Sequence, residues 1–225
     1  MKAETGERRF ATATRGFGPP GILAILFVLA GTAVTPLVGA VLALAWARWS
    51  RTPWRELGFA RPRSWWRDMG LGVALGIAFK LLMKAVVMPL LGAPPVNQAY
   101  HDLVGNPAAL PGMLFAVVVG AGFGEETLFR GYMFERLGKL LGSGARAKTT
   151  IVLMTSALFA VVHYREQGLA GVQQAAATGL VFGTVFAVTG ELWMLMWVHA
   201  AFDLTAVAII YLDLETRVAH MFFRS

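Results

Sequence analysis

The sequence predicts an all-α fold: a polytopic transmembrane bundle of about six to eight membrane helices enclosing an intramembrane cavity. Three observations predict it. Of 225 residues, 56% are hydrophobic and only 15% charged, whereas a soluble domain carries about a quarter charged residues. The mean hydropathy is +0.59. The apolar runs are also far longer than barrel strands, and lipid admits only helices or closed barrels because every backbone polar group must be satisfied within the segment.

In chain order, residues 1–21 read as a polar N-terminal tail. The apolar run after it is too long for a signal-peptide core, and the adjacent Arg8 and Arg9 are not followed by an export-signal pattern. Residues 22–109 hold the first membrane helices and their loops. Pro36 interrupts the run 22–46, which is therefore one kinked helix or two shorter segments meeting near the proline. Residues 48–68 contain six arginines and four tryptophans, the marks of a cytoplasmic membrane boundary. A span over about 70–91 follows, carrying Lys80 and Lys84. The next loop, to residue 109, has no Lys or Arg and faces away from the cytoplasm.

Residues 110–211 form a core of four spans: 110–141, stopped by Gly142-Ser143-Gly144, then 149–164, 169–188 and 192–211. Arg136, Lys139, Arg146 and Lys148 mark a second cytoplasmic boundary. Residues 212–225 are a short tail at the interface. No internal repeat is present, and the chain reads as one domain.

Composition excludes several functions. There are no cysteines, so disulfides, thiolate nucleophiles and Cys-based zinc sites are ruled out. The net charge of +7 falls in clusters beside apolar runs, without an aromatic and basic stripe, and reads as topology information; no nucleic-acid partner is expected.

A charge at the centre of a span costs roughly 2.5–3.5 kcal/mol, so such residues face the protein interior and mark function. In GFGEETLFRGYMFERL, residues 122–137, Glu126 and Arg130 are spaced for an ion pair with the acid first, the favourable order. Glu125 is turned about 100° away and has no such local partner. The pair therefore reads as a brace and Glu125 as an available carboxylate facing a cavity; alternatively, all three form one buried network. His163 and His199 lie inside spans, whereas His101 and His220 lie in a loop and the tail. His199 shares a helix face with Asp203, and His163 shares one with Phe159. Lys80 and Lys84 read as partnered structural charges or as a helix-end snorkel.

A carboxylate beside a histidine supports general acid–base chemistry on water, and a second histidine with a polar neighbour could stabilise an oxyanion. Ionised, Asp203 would orient His199; protonated, it would donate. If a divalent metal such as zinc were bound, its ligands would be Glu125, His163 and His199, although no His-Glu-x-x-His motif is present. Neither Ser143 nor Ser156 has a nucleophile setting.

These motifs resemble a known family. Glu125-Glu126-x-x-x-Arg130, Phe159-x-x-x-His163 and His199-x-x-x-Asp203 are similar, in order, to the three motifs of the CPBP intramembrane proteases (CAAX proteases and bacteriocin-processing enzymes). These are also called the Abi or type II CAAX prenyl endopeptidase family. The resemblance covers about residues 110–211. It implies a membrane-embedded peptidase in which Glu125 and His163 activate water, His199 and Asp203 stabilise the oxyanion, and Glu126, Arg130 and Phe159 support them. It also implies a membrane-associated peptide or protein substrate, a lipid bilayer around the enzyme, and no required cofactor or else a divalent metal. A multi-pass protein of a bacterial cytoplasmic membrane is expected. The rival readings are a proton- or ion-coupled transporter, with Lys80 and Lys84 lining its path, and a non-catalytic scaffold or immunity protein of the same fold.

Overall fold

The computed structural model describes residues 2–223, with side chains from residue 6 onward. Met1, Arg224 and Ser225, the extremities of the two expected tails, lie outside the described residues. All regular structure in the described residues is helical.

The segment read as a polar tail is a helix, α1 (Lys2–Arg15), set at 62° to the helix that follows it. The break between them falls at Gly16-Phe17-Gly18, ahead of Pro19 and Pro20. Proline is tolerated in the first turn of a helix, where its missing N–H would be unpaired anyway. The 22–46 run resolves into two helices, α2 (Pro19–Val34) and α3 (Pro36–Trp49). Thr35 separates them in extended conformation and caps α3 by accepting from the Val38 N–H at 3.1 Å.

These two helices form a hairpin. Gly31 packs on Val38 and Leu42, and Gly39 packs on Thr32, the pairing of antiparallel neighbours. Both outer ends return to one face, where Trp46 Nε1 donates to the Thr14 carbonyl at 3.0 Å. At about 1.5 Å per residue, each arm is roughly 21–24 Å long, short of the hydrocarbon thickness of about 30 Å.

Among the described residues, five helices are long and apolar enough to cross a membrane, or six if the bent α1–α2 pair counts as one span. They are α4 (Trp65–Leu90), α5 (Leu110–Leu141), α6 (Ala145–Val162), α7 (Tyr164–Thr189) and α8 (Leu192–Tyr211). A short α9 (Glu215–Ala219) follows. Its position differs from the expected interfacial tail: Glu215 is buried and accepts from Lys84 Nζ at 2.6 Å and from the Asn97 N–H.

One face of the bundle is knitted by its basic residues. Glu56 pairs with Arg15 at 2.5 Å and Lys139 at 3.1 Å. Arg136 is held by Glu135 at 2.7 Å, lies over the Trp46 ring and donates to the Arg15 carbonyl. The Leu192 N–H reaches the Gly58 carbonyl. The opposite face holds the 91–109 loop, the α6–α7 junction and α9, tied by Gly105 N–H to Tyr211 and by Gln167 to the Tyr100 hydroxyl.

The central pair, α4 and α8, packs backbone to backbone. Gly72 and Gly76 form a GxxxG stripe, and a Cβ at Gly72 would meet Trp197 Cβ at 2.6 Å. One at Gly76 would collide with the Val198 carbonyl. Such small residues let membrane helices gain van der Waals contact where no hydrophobic drive exists. Replacing Gly76 with Leu is expected to force the helices apart, costing at least about 1–3 kcal/mol, and to lower the thermal midpoint in detergent. Gly70→Leu, which adds its side chain in open space, is expected to leave the midpoint unchanged.

Candidate active site

The site is built on α5, α6 and α8. Over Ala116–Tyr132, α5 is wound as a wide π-helix, a winding that elsewhere occurs mostly as single-turn bulges. Within this stretch Gly122 lies on α8, its Cβ position 3.0 Å from Ala200. Gly124 lies on the hairpin tip, 3.1 Å from the Leu37 nitrogen. These two close approaches seat the following glutamates between α8 and the α2–α3 hairpin.

Glu126 and Arg130 pair as their spacing predicts, with Arg130 Nη1 donating to Glu126 Oε1 at 2.8 Å, and both are essentially without exposure. The same oxygen also meets His199 Nδ1 at 2.7 Å. A carboxylate is an acceptor, so Nδ1 carries the proton and the ring's orientation follows. The hydrogen bond that orients His199 thus comes from Glu126, and the brace extends into a three-residue network. Arg130 is held from the other side by aromatic faces, 4.8 Å from the Phe159 centroid and 5.5 Å from Phe182.

His199 Nε2 points the other way, 3.8 Å from Glu125 Oε2 and 3.5 Å from Asp203 Oδ2. These separations exceed a direct hydrogen bond and suit a bridging water or a reacting oxygen. Glu125, His199 and Asp203 all line one cavity of about 970 Å³. Glu126 and Arg130 do not line it.

His163 joins the same cavity through the way α6 ends. The last carbonyls of a helix lack N–H partners. The His163 N–H turns to Ala160, leaving the Phe159 carbonyl, which His163 Nδ1 meets at 2.6 Å. The Phe-x-x-x-His spacing is therefore a side-chain cap on the helix terminus. It places the proton on Nδ1 and leaves Nε2 as a lone-pair acceptor. Phe159 ties the parts together, its ring 4.6 Å from His163 and 6.2 Å from His199. His163 also lies within electrostatic reach of both Glu125 and Asp203.

Other residues in and around the cavity were not singled out by the sequence. Phe182 does not line the cavity but backs it, its ring 5.3 Å from His199, and nothing in its apolar run distinguishes it. Tyr100 reaches in from the loop; burial, with the carboxylates of Glu166, Asp203 and Glu125, pushes its phenol up to about 12. It therefore remains a neutral hydroxyl at any working pH. Thr35, Pro36 and Leu37 also line the cavity, and the proline inside an apolar run was their one visible signal. Lys80 is bonded to Gln174 at 2.9 Å and lies over Phe202, while Lys84 is paired with Glu215. Both are partnered, as their buried position requires.

Among the described residues, no three His, Asp or Glu side chains are grouped so as to hold a metal ion. The set Glu125, His163 and His199 converges on the cavity without forming such a group. What the arrangement offers is a carboxylate and an imidazole lone pair facing the same space as a second imidazole fixed from behind.

Among curated proteins and among solved structures, nothing matches the chain. A family model does match, that of the type II CAAX prenyl endopeptidases described as Rce1-like, over residues 107–205. This stretch contains every residue of the site from Glu125 to Asp203, and over it the chain is similar to the Rce1-like type II CAAX prenyl endopeptidases.

Proposed function

We propose that the protein is an intramembrane endopeptidase that cleaves a membrane-associated peptide or protein by carboxylate-activated water, in a multi-pass protein of a bacterial cytoplasmic membrane. The observation that carries this reading is the disposition of His199. Its Nδ1 is bonded to the buried Glu126–Arg130 pair, and its Nε2 stands 3.5–3.8 Å from two cavity carboxylates.

Water held by Glu125 and His163 attacks the scissile carbonyl carbon, giving up a proton to Glu125 with the His163 lone pair as neighbouring acceptor. The developing oxyanion is met by His199 as an imidazolium, whose Nδ1–H stays on Glu126 while Nε2–H donates. Asp203, beside Nε2, balances the charge of that imidazolium. The proton held on Glu125 then passes to the amide nitrogen as the C–N bond breaks, leaving a carboxylate and an amine. The buried Arg130 offsets the charge of Glu126, so the imidazolium charge is left to Asp203 on the cavity side.

With membrane-anchored peptides in liposomes, Glu125→Gln is expected to lower cleavage about a hundredfold or more without shifting the thermal midpoint. Cleavage retained by this variant would sink the mechanism. Glu126→Gln is expected to lower both, because unpairing a buried Arg130 costs about 3–5 kcal/mol. A strong chelator is expected to leave wild-type cleavage intact, since the cavity donors are not grouped for a metal; loss of activity restored by added zinc would contradict this.

A further inference from the structure

The cavity occupies only one half of the bundle. It is lined on α4 from Lys80 onward, on α5 only as far as Glu125, on α7 only as far as Thr178 and on α8 from His199 onward. No residue of the basic segments 48–68 or 136–148 lines it. The rest of its wall comes from the hairpin tip at residues 35–37, the end of α6 at Phe159, the Lys- and Arg-free loop, the α6–α7 junction and α9, including Tyr100, His163 and Glu215.

The half toward the basic face is closed. The hairpin tip at Pro36 and Leu37 packs against Gly124, one residue from Glu125. Behind this floor lie Glu126 and Arg130, then the Tyr132–Trp46 and Phe134–Phe186 edge contacts, with ring centroids 5.0 Å apart in each. The other side reaches exposed residues: Pro94, Gln98 and Ala99 in the loop, Glu166 beyond His163, and Phe115, 57% exposed on the lipid-facing surface of α5.

The two faces differ in charge. Six arginines lie in 48–68, joined there by Arg8, Arg15, Lys139 and Arg146, whereas the opposite face carries Arg165 and Arg217 and its loop to residue 109 holds no Lys or Arg. Short loops rich in Lys and Arg stay in the cytoplasm.

From these observations together we infer that the catalytic cavity opens on the extracytoplasmic side. The substrate class is then a peptide segment presented at the outer leaflet or emerging from it, rather than a cytoplasmic protein or one anchored by a lipid on the inner leaflet. Resting on the peptidase reading above, this inference adds the side from which the bond is reached. A segment on the cytoplasmic side would have to cross the hairpin and the Glu126–Arg130 layer to meet Glu125.

The chain's lack of cysteine makes the test direct. Single variants Ala99→Cys, at the cavity mouth, and Ser143→Cys, in the basic loop, are exposed to a membrane-impermeant biotin maleimide in intact cells and after lysis. The expected result is full labelling of Ala99→Cys in intact cells and labelling of Ser143→Cys only after lysis. The reverse pattern overturns the inference, as does protection of Ala99→Cys until lysis.

A second arm uses two membrane-anchored reporters with the same cleavable segment, presented outside or inside. Cleavage of the outer reporter alone supports the inference, and cleavage of the inner reporter alone overturns it. If neither is cut while the labelling holds, the peptidase reading fails and the sidedness stands.

Discussion

One carboxylate oxygen organises the site. Glu126 Oε1 accepts from both Arg130 and His199 in a part of the protein with no measurable exposure. Burying such a carboxylate is tolerable only with an opposite charge and further hydrogen bonds close by. Arg130 supplies the charge and His199 the second donor. Because His199 lies on α8 and the pair lies on α5, these two bonds to Oε1 also lock two helices in rotation. The absence of a side chain at Gly122, whose Cβ position would lie 3.0 Å from Ala200 Cβ, lets the backbones come close enough for the bond to form.

The rest of the site hangs on that lock. With Nδ1 engaged, Nε2 faces Glu125 and Asp203, and a ring whose tautomer is set needs no reorganisation when charge develops beside it. The Phe159 ring carries the same order to α6, touching Arg130 on one side and His163 on the other. His163 is fixed independently as the cap of its own helix. Two histidines are thus held in fixed orientations by two different devices, one an ion pair in the core and one an unpaired carbonyl at a helix terminus.

Much of this was legible in the chain. The 192–211 span, the 110–141 span and the stop at Gly142 follow from apolar length and a glycine. The spacing of Glu126 and Arg130 anticipates their pair, since both lie on one helix. The Glu126–His199 bond was not legible, because helix periodicity says which residues share a face and not which faces of separate helices meet. For the same reason Pro36 marked a break without saying that the chain turns back. The polar composition of α1 concealed a helix whose partners, Glu56 and Trp46, come from later in the chain. Glu215 likewise looked like part of a short interfacial tail until Lys84 and the Asn97 N–H gave it a buried place.

The most direct measurement of the Glu126-centred lock is the nitrogen-15 spectrum of the histidine side chains in detergent, with His199 and His163 assigned by substitution. A lock predicts a proton on His199 Nδ1 in a strong hydrogen bond, lost in Glu126→Gln while the His163 signals stay in place. A His199 ring that carries its proton on Nε2 alone, or a spectrum indifferent to Glu126, would contradict it.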